Sequence, residues 1–552
     1  MPFVLRFLPD GCQWRGDQPA PLAIAAAECG ILLEQPCGGK AVCGKCRVRL
    51  AGGLLPPDDA DLRVLGRSAV AEGWRLACRA FVSDDAAVEV PAASRTVARK
   101  SFGTDGLFAG GFEPHFPAGG WGVALDLGST TLAAALVDLA TGTVAATAST
   151  LNPQAHYGPD VISRIAFARA HEHGSRELHR LMVAGVDGLV SQCAAALDLH
   201  PRELRALAAA GNPTMTHTLL GLSLHGLGEA PFQGERYDAW GGSAADLGLG
   251  LPSGAEAWVL PGIGTHVGGD AVAATLATGL DQADRPRLLI DLGTNTEVVL
   301  GSRHGILCTS AAAGPAFEGS VIRYGMRAVP GAIDRVTLAG DDLEIGTLGG
   351  EQAVGICGSG LIDAVAALLA AGLIEPSGRL RARGELSAAP RALRDRVLEA
   401  GGGLAPGPGS AGDGRAVRLG GTDDRPVFLT AADIRELQLV KASIAAAVRL
   451  LLQRAGTSAG DVETVQIAGA FGATIRDASA RTIGLLPLPG VPVEFVGNAA
   501  GAGARLALVD ERARLRAGHI ARTARVVELA TDPAYHEAFV AALAFPRRAD
   551  VA

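Results

Sequence analysis

The hydrophobic pattern changes period several times along the chain. Val4-Leu5-Arg6-Phe7-Leu8 alternates and predicts an opening strand, and Arg47-Val48-Arg49-Leu50 predicts another. Between them Pro21 to Cys29 predicts a short helix, with proline in its first turn and Gly30 as its stop. Further on, two stretches share one pattern: ALDLGSTTLAAALVDLATGTVAAT from Ala124, and LIDLGTNTEVVLGSRHGILCTS from Leu289. Each predicts strand, tight turn, strand, short turn, strand, the short turns falling at Ala140-Thr141-Gly142 and Gly301-Ser302-Arg303. The copies lie a domain's length apart, which predicts two related lobes and not a short tandem repeat. Thr430-Ala431-Ala432-Asp433 is a capping box that opens a helix carrying Gln438 and Lys441. Val465-Gln466-Ile467 then predicts a strand running into the small-residue turn Ala468 to Gly472, and Gly497 to Gly503 predicts a hinge or a helix–helix contact.

The repeated turns carry candidate chemistry. A strand that ends in Asp126 turns on Gly128, Ser129 and Thr130, and one that ends in Asp291 turns on Gly293, Thr294 and Asn295. Successive N–H groups of such a turn form a nest that fits a phosphate. A carboxylate at the rim would repel that phosphate unless a cation lies between them, and magnesium binds through one or two carboxylates while keeping several waters. Gly469, Ala470 and Gly472 around Phe471 let a flat ring lie against backbone, as an adenine site requires. The segments Asn152 to Arg164 and Gly211 to His217 either line the cleft or are capped helix entries. Asp270, at the start of an alanine-rich helix, reads as an N-cap. Ala313 to Gly319 is a turn with one acidic side chain, Glu318. The Gly358-Ser359-Gly360 turn brings backbone close to a ligand or lets two elements pack tightly, and the ligand reading is the preferred one.

Cys37, Cys43 and Cys46 are spaced C-x5-C-x2-C, and Cys78 follows at a distance. Four thiolates can hold a [2Fe–2S] cluster, and the glycine-rich loop leaves N–H groups free to bond its sulfides. A zinc ribbon usually pairs C-x2-C with a second such pair or with histidines, and neither is present. Cys12 and Cys29 receive no role, and Cys193, Cys308 and Cys357 read as small core residues.

Composition narrows the class. The 552 residues suffice for several domains, and 48% hydrophobic against 19% charged residues describes a globular chain. A net charge of −8 without a basic stripe argues against nucleic acid. The opening MPFVLRFLPDG lacks a signal-peptide pattern, and the longest apolar run, Ala364 to Ile374, is too short for a membrane span. Nine cysteines in such a chain predict a cytoplasmic metal or redox site rather than a disulfide framework. Residues 93–120, rich in glycine and phenylalanine, predict an extended linker, and 401–416 a glycine- and proline-rich surface loop.

Residues 1–92 resemble the [2Fe–2S] ferredoxins of β-grasp fold. The loop order LDLGSTT, IDLGTNTE, IAGAFG resembles the superfamily of actin, sugar kinases and heat-shock chaperone ATPases, whose fold is ribonuclease H-like. Together they resemble the reductive activators of corrinoid proteins, with NPQAHYGPDVISR, GNPTMTH, GPAFEG and ICGSGLID also similar to that family's segments. The resemblance implies an α+β multidomain architecture: ferredoxin domain 1–92, linker 93–120, a first ATPase lobe 121–280 and a second lobe 286–552. It implies ATP-dependent reduction of cob(II)amide to cob(I)amide on a corrinoid protein of a methyltransferase system, with a homodimer among the assemblies it allows. Cys37, Cys43, Cys46 and Cys78 would then ligate the cluster, and Asp126 and Asp291 would hold Mg2+ directly or through water. Gly128, Ser129, Thr130, Gly293, Thr294 and Asn295 would cradle the phosphates of ATP. Gly469, Ala470 and Gly472 would face the adenosine, with Gln438 and Lys441 as further nucleoside candidates. Asp291 and Glu297 are the two candidates to orient the attacking water. The competing reading is a ferredoxin-linked small-molecule kinase, for which Asp270 is the candidate base.

Overall fold

The computed structural model describes residues 2–29, 31, 33, 35, 37, 39–41, 43–52, 55–91, 94, 112–158, 160–293, 295–314, 316–317, 319, 321–399, 414–469 and 475–547. Gly30, Glu318, most of the expected linker and most of the 401–416 loop lie outside those residues.

The N-terminal domain is a five-stranded mixed sheet. Phe3–Leu8 buries Phe3, Leu5 and Phe7 on one face, as its alternation requires. It pairs with the edge strand Gln13–Gly16 and, in parallel, with the closing strand Ala86–Glu89. Arg47–Gly52 and Trp74–Leu76 complete the sheet on the other side. Helix Leu22–Glu28 packs Leu22, Ala25 and Ala26 into the core, with Pro21 just before its first turn. Cys12 and Cys29, left without a role by their sequence, form a disulfide that ties the end of this helix to the first turn.

The duplication read from the sequence is visible in the topology. In the first lobe Trp121–Leu127, Thr131–Asp138 and Val144–Leu151 form an antiparallel meander. Leu204–Gly211 and Glu256–Val259 extend it in parallel. In the second lobe Arg287–Asp291, Thr296–Ser302 and Gly305–Ala311 form the same meander, with Val465–Ala468 and Val493–Gly497 added in parallel. An inserted α/β subdomain follows the second meander. Its strand Ala332–Ala339 pairs with Asp342–Thr347 and packs on helix Gly358–Ala370, and Ala416–Gly421 pairs with Pro426–Thr430.

The lobes meet through two helices, Gly269–Thr278 and Ala499–Val509. Strands Trp121–Leu127 and Leu204–Gly211 are buried on both faces, so they carry no polar alternation. One face turns Leu125 and Leu207 toward helix Gly174–Ala195. The other turns Ala124, Ala206, Ala208 and Ala210 toward Ala504, Ala507 and Leu508 of helix Ala499–Val509. Small side chains on both partners bring the backbones close: a Cβ on Gly503 would lie 2.0 Å from the Ala273 carbonyl oxygen. The small-residue run at 497–503 is therefore a helix–helix contact, entered through the Asn498 cap.

The described end of the linker is strapped down. His115 N–H bonds the Val509 carbonyl, its ring lies against Glu256 and Glu511, and Phe112 and Phe116 pack on the inter-lobe core. Residues 112–120 thus hold both lobes, where the sequence predicted an extended spacer.

Candidate functional site

The first turn expected to hold phosphate begins after Asp126 and Leu127, the last two residues of strand Trp121–Leu127. Gly128 leaves no room for a side chain, since a Cβ there would sit 2.4 Å from the Thr131 carbonyl oxygen. Three buried side chains brace the turn from behind. Asn152 Nδ2 donates to Gly128 O at 3.0 Å, Arg164 Nη2 to Ser129 O at 2.6 Å, and Asn212 Nδ2 to Ser129 Oγ at 2.8 Å. Asn152 and Asn212 also cap the helical turns that follow them, so their segments are helix entries and cleft supports at once. Arg164 is held in place by Gly158 O at 2.9 Å and Gln154 Oε1 at 3.3 Å.

The second turn begins at Asp291, and Gly293 and Asn295 follow it in a tight bend, with Thr294 outside the described residues. The turn expected to face adenosine starts beside it. Leu292 N–H bonds Ala468 O at 3.0 Å, and Gly469, at φ +109°, would place a Cβ 2.4 Å from Leu292 O. Ala470 and Gly472 lie outside the described residues. Gly469 is thus fixed within the backbone contact that joins the second phosphate turn to the neighbouring strand.

Four carboxylates, two from each lobe, converge electrostatically on this cleft. Asp291 and Glu297 are cross-strand neighbours, and Ser310 Oγ donates to Glu297 Oε1 at 3.1 Å. Burial raises the Glu297 carboxyl well above its ordinary value, and the charges of Asp270 and Asp291 add to the shift. Asp270 is pushed up to about 6, first by burial and then by Asp126. Its position corrects the sequence reading. Gly268 is the N-cap, and Asp270 sits in the first turn, bonded to Ala271 N at 2.9 Å. Gly268 is wedged against Asn212 and Gly211, which aims the turn into the cleft. The Gly-Gly-Asp run ahead of an alanine helix was the signal for a cleft carboxylate. Among the described residues no three His, Cys, Asp or Glu side chains enclose an ion by themselves. The donor set fits a cation held partly by water and phosphate, as magnesium is.

Two other expectations are corrected. Gln438 and Lys441 are each 1% exposed. Gln438 Nε2 donates to Ser377 O at 3.0 Å and Leu543 O at 2.9 Å, and Lys441 donates to Ala544 O with its ammonium 5.0 Å from the Phe545 ring. They anchor the C-terminal segment, which covers them from any nucleoside. The Gly358-Ser359-Gly360 turn serves packing: a Cβ on Gly358 would lie 2.4 Å from Phe317 O, and one on Gly360 2.0 Å from Ile333 O.

In the N-terminal domain the four cysteine thiols stand as two pairs. Cys43 is hydrogen-bonded to Cys37 and Cys78 to Cys46, and these bonds, followed by burial, raise the thiols of Cys43 and Cys78. All four thiols interact electrostatically. Two pairs fit two irons with two thiolates each. Cys193 and Cys308 are buried in the cores, and Cys357 bonds Ile333 O at 3.3 Å while packing beside Cys37.

The cysteine loop is docked on the second lobe. Cys37 and Cys43 pack with Met326, Val329, Ala332 and Val354. Lys40 donates to Gly319 O and to Ile322 O at 2.6 Å, and Lys45 pairs with Glu351 at 3.3 Å. Burial draws the Lys40 ammonium down to about 8, against the opposing pull of Cys37 and Asp433.

A duplicated lobe with paired phosphate turns, joined to a ferredoxin domain, defines an actin-type nucleotide-binding protein with its own redox centre. The chain matches the family models for the RACo middle region over 121–283, the C-terminal ASKHA domain of RACo over 285–401 and 410–551, and the 2Fe-2S iron-sulfur cluster binding domain over 9–83. It is 33% identical over 425 residues to the corrinoid activation enzyme RamQ of Eubacterium limosum, covering 76% of this chain and 69% of that protein. It is 28% identical over 431 residues to the [Co(II) methylated amine-specific corrinoid protein] reductase of Methanosarcina barkeri, covering 72% and 71%. Among solved structures, a reductive activator for corrinoid,iron-sulfur protein superposes with a TM-score of 0.70 at 28% identity, over 99% of this chain and 98% of that one. The chain belongs to the RACo family of reductive activators. Among the described residues no helix is long and apolar enough to cross a membrane.

Proposed function

We propose that the chain is an ATP-dependent reductive activator that returns cob(II)amide of a corrinoid methyl-transfer protein to cob(I)amide in the cytoplasm. The observation that carries the reading is the docking of the cysteine loop on the lobe that bears the second phosphate turn. Redox centre and nucleotide cleft are thereby mechanically joined, which a plain electron carrier or a plain kinase would not need.

A [2Fe–2S] cluster held by Cys37, Cys43, Cys46 and Cys78 supplies single electrons at a potential of roughly −400 mV. The cobalt couple lies lower, and each ~59 mV uphill costs a factor of ten in a one-electron equilibrium. Nucleotide binding offsets that gap through the lobes. Gly128, Ser129 and Thr130 on one side and Gly293, Thr294 and Asn295 on the other hold the phosphates. Asp126 and Asp291 hold magnesium, in part through water, and Gly469, Ala470 and Gly472 face the adenosine. Asp291 or Glu297 orients water toward the terminal phosphate. The helix pair Gly269–Thr278 and Ala499–Val509 is the joint about which the lobes close.

The kinase reading needs a base beside a polar acceptor pocket. Asp270 instead interacts with Asp126 and Glu297, a setting for a cation. Anaerobic ATP turnover, followed with the cobalt spectrum in the same cuvette, tests the assignment. Cob(I)amide formed only with ATP and a reduced cluster supports it. Phosphorylation of a small acceptor with no change at cobalt overturns it.

A further inference from the structure

Lys40 lies between two cluster cysteines, yet its ammonium serves the other domain. It donates to the carbonyls of Gly319 and Ile322, two acceptors on one short loop of the second lobe. Next to that loop, Arg323 N–H donates to Asp433 Oδ1 at 2.8 Å, and Asp433 is 2% exposed at the start of helix Ala431–Ala455. The half-buried ammonium, the loop carbonyls and the buried Asp433 therefore form one polar junction between the domains, inside a rim of apolar contacts and the Lys45–Glu351 pair. Charge-assisted bonds that are partly shielded from water are stronger than neutral ones, and breaking one leaves its partner incompletely solvated.

The same loop leads back to the cleft. Strand Gly305–Ala311 carries Ser310, which holds Glu297, the cross-strand neighbour of Asp291. Past Ala311 the chain turns directly into the segment that ends at Gly319 and Ile322. Phe317 in that segment is 2% exposed and its backbone lies against Gly358, at the start of helix Gly358–Ala370, so the segment is packed against that helix. We propose that Lys40 is a positioning latch, its ammonium fixing the cysteine loop on the second lobe, and that nucleotide in the cleft sets how firmly this latch is held. The inference rests on the nucleotide reading of the cleft and adds its regulation: the lobe that senses phosphate also controls the seat of the redox loop.

Hydrogen exchange on the full-length, iron-loaded protein tests this without any corrinoid partner. The parent, Lys40→Met and Lys40→Arg are compared with and without magnesium and a non-hydrolysable ATP analogue. In the parent the analogue is expected to change exchange both at 289–300 and at 37–46. In Lys40→Met the 37–46 segment should exchange at least about tenfold faster, consistent with the loss of two charge-assisted bonds. It should no longer respond to the analogue, while 289–300 still does. Lys40→Arg, which keeps a cation, should restore part of the response. The midpoint potential of the bound cluster, read by electron paramagnetic resonance, should shift with the analogue in the parent and stay fixed in Lys40→Met. If Lys40→Met loads no iron, Asp433→Asn opens the junction from the other side with the cysteine loop intact, and an unchanged 37–46 segment there overturns the latch. A Lys40→Met loop as protected and as responsive as the parent's overturns it directly. Absence of any analogue effect at 289–300 in the parent overturns the nucleotide reading itself.

Discussion

Asp291 and Glu297 stand directly opposite each other on neighbouring antiparallel strands, so the second lobe offers two carboxylates side by side. Asp270 and Asp126 face them from the first lobe. Without a cation these charges repel, and that repulsion carries a pH signature.

Asp270 has its pKa raised from 3.8 to about 6, and burial raises Glu297 well above its ordinary value. A carboxyl raised in the folded state keeps its proton longer than in the unfolded chain. Its stabilising contribution is present below the unfolded value and is lost as pH rises through about 6 and beyond. Magnesium must displace that proton. Nucleotide affinity in magnesium should therefore rise as pH rises through this window, with protons released on binding, measured by calorimetry in buffers of different ionisation enthalpy. Asp270→Asn should remove that limb of the profile and weaken magnesium-nucleotide binding at least about tenfold, equivalent to one pKa unit of attraction. At neutral pH the nucleotide-free variant should be the more stable protein.

Serine at Cys37, Cys43, Cys46 or Cys78 should abolish stable iron binding and the visible absorbance. Cys357→Ala should keep both, although Cys357 packs beside Cys37. Its thiol is raised by burial and bonds Ile333 O, which marks it as packing. Iron analysis and absorbance of the purified variants decide this.

Gly503→Ala should destabilise the joint between the lobes. Its new Cβ would meet the Ala273 carbonyl at 2.0 Å, backbone against backbone, where no side chain can swing aside. The expected loss is about 1–3 kcal/mol, the usual cost of overpacking. Urea unfolding should show it with the iron content unchanged.

Lys441→Met should leave nucleotide affinity as it is, because Lys441 is buried under the C-terminal segment. Stability is where this change shows. Burial lowers the Lys441 pKa from 10.5 to about 8, so the unfolded chain takes up a proton that the folded one has lost. The parent should therefore gain stability as pH rises from about 8 toward 10.5, and the variant should lack that slope. Thermal melts across this range measure it.

The sequence by itself determined the strands and the duplication and marked the candidate cluster ligands, because each rests on local spacing. An aspartate near the end of a strand before a glycine turn, written twice, marks two candidate phosphate turns, and four cysteines, spaced C-x5-C-x2-C with a fourth further on, mark a candidate donor set. Alternation in Phe3–Leu8 and the capping box at Thr430 and Asp433 are likewise properties of a few neighbouring residues. What only the tertiary structure decided is which polar groups meet across long separations. Gln438 and Lys441 read as ligand-facing until the C-terminal segment folds over them. Asp270 read as a cap until Gly268 took that place and turned the carboxylate toward Glu297 of the other lobe. Lys40 carries no signal at all in its own segment, since its partners, Gly319 and Ile322, lie in another domain. Burial and long-range pairing set the free energy of a charged side chain, and neither is written in its neighbours along the chain.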